Sequence, residues 1–188
     1  AGSVPAKPAL VDGASTGYNV PVTVFNKAAL RDAVVAVLQA ELETLRRFAT
    51  ETRDAATHEE AKAENDKDTR GLEQSYLARG QAMRAEDVDE AIKRLRFMEL
   101  PSQPDAIGLG CVIQLHVYEE AAEEGGEERW LFLTPVAGGT KVSLAGRELQ
   151  TLTPAAPLGR RLVGCEEGDE IELKRGARVR VHEILSVH

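Results

Sequence analysis

The feature that most constrains the fold is a change of hydrophobic period partway along the chain. Between Ala28 and Thr57 there is neither glycine nor proline, and apolar residues recur at Val35, Leu38, Leu42, Leu45 and Ala49. Steps of three and four place them on one seam of a helix, with charged and amide side chains on the rest. A second helical run extends from about Asp68 to Met98, with Leu72, Tyr76, Leu77, Val88, Ile92, Leu95 and Met98 as its apolar positions. Pro101 and Pro104 end it, because proline removes a backbone donor and clashes with a preceding turn. After Pro104 the period becomes two: Val112, Ile113, Leu115 and Val117 interleave with Gln114, His116 and Tyr118, the pattern of a half-buried strand.

The segment between the two helical runs, His58 to Asp68, is polar except for two alanines. Asn65, Asp66 or Asp68 can cap the second helix by accepting its orphan amide hydrogens. Two runs of this length joined by a short polar link are expected to form an antiparallel helical coiled-coil hairpin. At 1.5 Å per residue it is a rod of ~45 Å that projects from the rest of the molecule. Gly71 and Gly80 interrupt the second run and mark either close helix contact or a bend.

Downstream, the acidic stretch Glu119 to Glu128 turns the chain, and Trp130 to Leu133 returns as a second strand. Further strands are expected at Lys141–Leu144, Asp169–Leu173 and Arg178–Val187. One short helix should start at Pro157, whose fixed φ suits a first turn, and stop near Gly164. The fold class is therefore α+β. Residues 1–26 form a poorly ordered or extended leader whose opening Ala-Gly-Ser is compatible with an expression remnant. Residues 27–100 form the coiled coil and 101–188 the small sheet domain.

Composition narrows the function classes. A net charge of −8 argues against a phosphate-reading surface, which needs clustered Lys and Arg. A 4% aromatic content is low for a deep small-molecule pocket. Cys111 and Cys165 lack a C-x-x-C spacing, and His58, His116, His182 and His188 lack metal-ligand spacing. These cysteines and histidines are read as structural or solvated. Gly138-Gly139-Thr140-Lys141 lacks the frame of a phosphate loop and is read as a turn. No nucleophile–base grouping has a local signature. No run approaches a membrane span, so the expectation is a cytoplasmic protein. The apolar stripe is satisfied within one chain, so the expectation is also a monomer.

Pro157-Leu158-Gly159-Arg160-Arg161-Leu162-Val163-Gly164-Cys165-Glu166-Glu167-Gly168-Asp169-Glu170-Ile171 resembles a segment of the Gre-type family, the bacterial transcript-cleavage and elongation factors. In that family it reads Ser-Pro-x-x-Arg-Ala-Leu-x-Gly-x-x-x-Gly-Asp-x-Val. The closing Val181 to Val187 is similar to the family's final strand. In the rod, Ala63-Glu64-Asn65 is similar to its Ser-Glu-Asn tip. The resemblance spans residues 28–187 with the parts in the same order. It implies a coiled coil joined to an FKBP-like domain, and an accessory factor to RNA polymerase rather than an enzyme.

The globular part would dock at the polymerase's secondary channel through Pro157, Leu158, Gly159 and Arg160, and the rod would enter it. Nascent RNA would be met only indirectly. Tip acids Glu64, Glu60 and Asp66 would assist catalysis, with Glu64 and Glu60 sharing Mg²⁺ with the polymerase, a hard cation that needs few protein carboxylates. Mg²⁺ is thus expected only in the complex. The family's tip aspartate position falls on Ala61, and its acidic-Ser pair before the proline is Ala155-Ala156. The alternative is a secondary-channel regulator or inhibitor without cleavage activity. An FKBP-like peptidyl-prolyl isomerase or chaperone is the alternative of another class, and a coiled-coil adaptor a third.

Overall fold

The computed structural model describes residues 25–60, 70–119, 125–144, 146–176 and 178–188. Helix α1 spans Lys27–Glu60 and α2 spans Arg70–Arg96. They are followed by β1 (Val112–Glu119), β2 (Glu127–Leu133), β3 (Lys141–Leu144) and β4 (Arg147–Leu152). Helix α3 (Pro157–Leu162), β5 (Glu170–Arg175) and β6 (Arg178–Val187) complete the chain. The leader up to residue 24, the link 61–69 with Glu64 and Asp66, and the acidic tip 120–124 lie outside the described residues. No helix among the described residues is long and apolar enough to cross a membrane.

Helix α1 starts where a side chain can close its first turn: Asn26 Oδ1 accepts the Ala29 N–H at 2.9 Å. Lys27 lies over the end of α2, its Nζ donating to the Pro101 carbonyl. Further along, Arg46 pairs with Asp89 at 3.3 Å and Arg84 with Glu41 at 3.0 Å. The start of α1 therefore meets the end of α2, and the helices run in opposite directions. Their exposed ion pairs contribute little each, so packing must hold the helices together.

That packing is concentrated at one end. Leu30, Val34, Val35, Leu38 and Leu42 from α1 join Ala85, Ile92, Leu95 and Met98 in one buried cluster with Val112, Phe132, Val142 and Leu149 of the sheet. The helix pair thus shares a core with the sheet at its base. The distal apolar positions read from the sequence are not buried: Leu72, Tyr76 and Leu77 are exposed, as are Met83 and Phe48. The reason is geometric, since from Leu42 to Glu60 α1 extends about 27 Å and the sheet does not follow it.

Gly80 resolves the earlier ambiguity. A Cβ built there meets nothing within 4 Å, so the residue does not serve close helix contact. Gly80→Ala is expected to stabilise the protein by about 1 kcal/mol, measured as a higher urea midpoint at unchanged m-value.

The sheet has six strands in the order β3-β4-β2-β1-β6-β5. All pairs are antiparallel except β2 with β4, where Leu131 to Leu133 run parallel to Gln150 to Leu152. Strand β4 is absent from the sequence-based expectation. Its residues Arg-Glu-Leu-Gln-Thr-Leu alternate, but Gly146 just before it and Pro154 just after read as one loop. What makes it a strand is Leu149, fully buried against the helix base. The two sheet faces differ in cover. Val112, Phe132 and Leu149 face the helices. Ile113, Leu115, Val117, Leu131, Leu133, Ile171 and Ile184 form a second core beneath Leu162 of α3.

Candidate functional site

Helix α3 carries all four candidate docking residues, Pro157, Leu158, Gly159 and Arg160. Pro157 occupies the first turn after Ala156, whose φ of −67° and ψ of 151° are extended. No side chain caps this end, so the turn depends on proline's preset φ and on the Ala156 carbonyl accepting Arg160 N–H at 2.9 Å. Leu158 and Leu162 turn into the second core, while Pro157, Arg160 and Arg161 are exposed. Gly159 is buried with the Thr153 carbonyl directly over it: a Cβ there would lie 2.0 Å from that oxygen. The glycine is a packing requirement first, whatever else it does.

The turn that follows is held by backbone geometry. Gly164 (φ 87°) and Gly168 (φ 91°) take left-handed conformations that glycine adopts without a Cβ penalty. Gly164 N–H donates to Ile107 O at 2.9 Å and Ile107 N–H to Cys165 O at 2.8 Å, pinning the end of α3 to the segment before β1. Asp169 Oδ2 accepts Glu166 N–H at 2.9 Å, closing the loop into β5. Burial, with Asp169 nearby, pushes the Cys165 thiol up in pKa, and its Sγ donates to Arg161 O at 3.1 Å. A thiol in that state is a poor nucleophile. The result is a rigid platform that carries two adjacent arginines.

The structure does not bring this platform together with Glu60, the one tip acid whose backbone it describes. Glu60 is the last residue of α1, at the far end from the shared core. Its side chain, with Glu64 and Asp66, lies outside the described side chains. Among the described residues no group of three or more His, Cys, Asp or Glu can hold a metal ion.

Two histidines read as structural or solvated have definite structural surroundings. His182 is buried on β6 between Val117 and Ile171, and its Nδ1 has no hydrogen-bond partner among the described residues. Burial is the main cause that lowers its pKa, and the Arg129 and Arg180 guanidinium charges add to it. His188 lies 5.0 Å from Phe25 and stacks on Trp130 at 6.1 Å, with Arg147 4.8 Å over the Trp130 ring. Burial lowers its pKa first, then the charge of Lys27. Nothing in the sequence marked this cluster, because its members come from four separate segments.

A lowered histidine pKa has a definite sign. Below the unfolded value of 6.5 the unfolded chain binds a proton that folded His182 resists, so stability falls as pH drops through that range. The loss is bounded at about 1.4 kcal/mol per pH unit for one group. Urea midpoints between pH 7.5 and 5 should decline, and His182→Phe should flatten the decline.

The fold defines an α+β protein in which a helix pair and one short helix cover opposite faces of a six-stranded mixed sheet. No protein-family model and no curated protein matches the chain. Among solved structures it is similar to GreA factor homolog 1 (Gfh1) of Thermus thermophilus, at 20% identity over 83% of this chain and 95% of that one, with a TM-score of 0.33. Gfh1 of Thermus aquaticus is similar at 19% identity, over 84% of this chain and 95% of that one, with a TM-score of 0.32. The prokaryotic transcription elongation factor GreA/GreB from Nitrosomonas europaea is similar at 23% identity, over 53% of this chain and 78% of that one, with a TM-score of 0.31. Superpositions this loose leave function to be argued from the chain's own residues.

Proposed function

We propose that the chain is an accessory transcription elongation factor that binds RNA polymerase through α3 and reaches into the secondary channel with its helix pair. The observation that carries this reading is the Pro157–Ile171 segment, which resembles the Gre-type docking motif from its proline onward. In the structure it forms a proline-started helix and glycine turn that leave Arg160 and Arg161 exposed. An arginine pair on a rigid base suits an acidic partner surface, because the planar guanidinium binds carboxylates bidentately.

In this reading the helix pair is the family's coiled coil, residues 27–100, and the sheet with α3 is its FKBP-like domain, residues 101–188. Glu64, with Glu60 or Asp66, would present carboxylate oxygens at the far end, where the polymerase supplies the rest of the centre. Mg²⁺ bound there would lower the pKa of a water that attacks the RNA phosphodiester. The chain's own part is to carry the acids and hold them in place. Where the family has its tip aspartate this chain has Ala61, which favours the regulator without cleavage as the second reading.

Transcript cleavage in stalled elongation complexes separates the two. If the tip acids assist, the natural protein stimulates cleavage and Glu64→Ala reduces it at least tenfold while binding is retained. A protein that stimulates no cleavage, yet competes with a known secondary-channel factor, fits the regulator. Failure to do either removes the Gre-type reading, and proline-isomerisation activity on a model peptide would replace it with the isomerase.

A further inference from the structure

The sheet ends on one side at β5, and among the described residues no strand pairs with its outer edge. The opposite edge, β3, is only four residues long and α1 packs beside it. Strand β5 is six residues, Glu-Ile-Glu-Leu-Lys-Arg, about 20 Å of backbone, and one row of its hydrogen-bonding groups faces no strand among the described residues. Charged side chains on such an edge oppose pairing with an unmatched strand. Here the charges are of both signs: the first half of β5 is acidic, its second half basic, and its net charge is zero. Such a strand is complementary to itself when laid antiparallel.

Geometry limits how two copies can meet. A two-fold axis perpendicular to the sheet keeps the α3-covered faces on the same side, and only every second register satisfies it, since a one-residue slip turns the side chains over. One permitted register places Glu172 opposite its own copy, which like charge opposes. The next places Leu173 opposite Leu173 on the axis and Glu172 opposite Lys174 on both sides. Leu173 already packs against the second core beside buried Ile171, so this register continues that core across the join. Glu172 and Lys174 are both exposed on the other face, free to meet a partner strand.

We infer that β5 is a self-association edge, through which two copies of this chain form an antiparallel β5–β5 dimer with a continuous twelve-stranded sheet. This goes beyond the proposed function, does not rest on it, and revises the expectation of a monomer. A six-residue strand pair covers less than the roughly 800 Å² per partner of a standard interface, so the dimer is weak and concentration-dependent.

Sedimentation velocity on the full chain, from low micromolar to near-millimolar concentration, tests this. The mass should rise from 20.4 kDa towards twice that value, less so at high salt. Glu172→Lys and Lys174→Glu should each give a monomer, since each sets like charges opposite one another twice. Mixing the two single variants should restore association as a heterodimer, and the double variant Glu172→Lys/Lys174→Glu should dimerise like the natural chain. Circular dichroism checks that every variant is folded. A chain that stays monomeric throughout overturns the inference. So does a dimer that either single variant leaves intact, or one that mixing fails to restore. None of these outcomes bears on polymerase binding.

Discussion

Phe132→Ala is expected to cost about 3–5 kcal/mol, read as a fall in the urea midpoint and in the melting temperature. The ring is fully buried on β2, on the sheet face that meets Leu30, Val34 and Leu95. Its loss removes apolar contact from two elements at once and leaves a cavity that rigid neighbours cannot collapse into. A domain of ordinary stability has only about 5–15 kcal/mol in hand. Because the helices meet the sheet in one shared core at their base, the variant should also separate two transitions. Helical signal should melt earlier than the sheet, where the natural protein melts in one step. Exposed Phe48, further along α1, supplies the control: Phe48→Ala should change the midpoint by less than a quarter as much.

Gly159→Ala is the second large effect, expected at about 3 kcal/mol. The added methyl meets the Thr153 carbonyl oxygen at 2.0 Å and Pro154 Cα at 3.2 Å, both backbone atoms that cannot swing aside. Either α3 shifts off the second core, uncovering Leu162, or the Thr153–Pro154 turn moves. Arg160→Ala, one residue on, should leave stability within about 0.5 kcal/mol because the side chain is exposed. The contrast is diagnostic. A binding defect in Gly159→Ala with normal binding in Arg160→Ala would mean that the segment matters only as packing. Weaker polymerase binding in folded Arg160→Ala would support the docking role.

The helices were legible because their signal is local. A run without glycine or proline and a three-four apolar spacing need no partner to be recognised, and α1 and α2 fall within a few residues of the expected bounds. The same holds for β3, β6 and α3, where turn residues bracket the element. Strand β4 was not legible. It pairs in parallel with β2 across the intervening β3, a non-local match that a linear pattern does not encode. The distal stripe of α2 misled for a related reason: Leu72 and Tyr76 have the right spacing for burial but no third element to bury them. In the candidate site, the short-range part of the docking motif was readable from Pro157, Gly164 and Gly168. The demand on Gly159 was not, because the atom that excludes a side chain there arrives from Thr153.

By itself, then, the order of residues determined where the chain is helical, where it alternates, and which short segments must turn. These follow from backbone sterics and from spacing along one chain. Tertiary structure alone decided which end of the helix pair is anchored, which apolar residues stay wet, that His182 is buried in the sheet and that His188 stacks on Trp130. Those outcomes depend on surfaces that meet only after the chain has closed on itself. Burial and charge act through distance in space, and sequence separation is a poor guide to that distance.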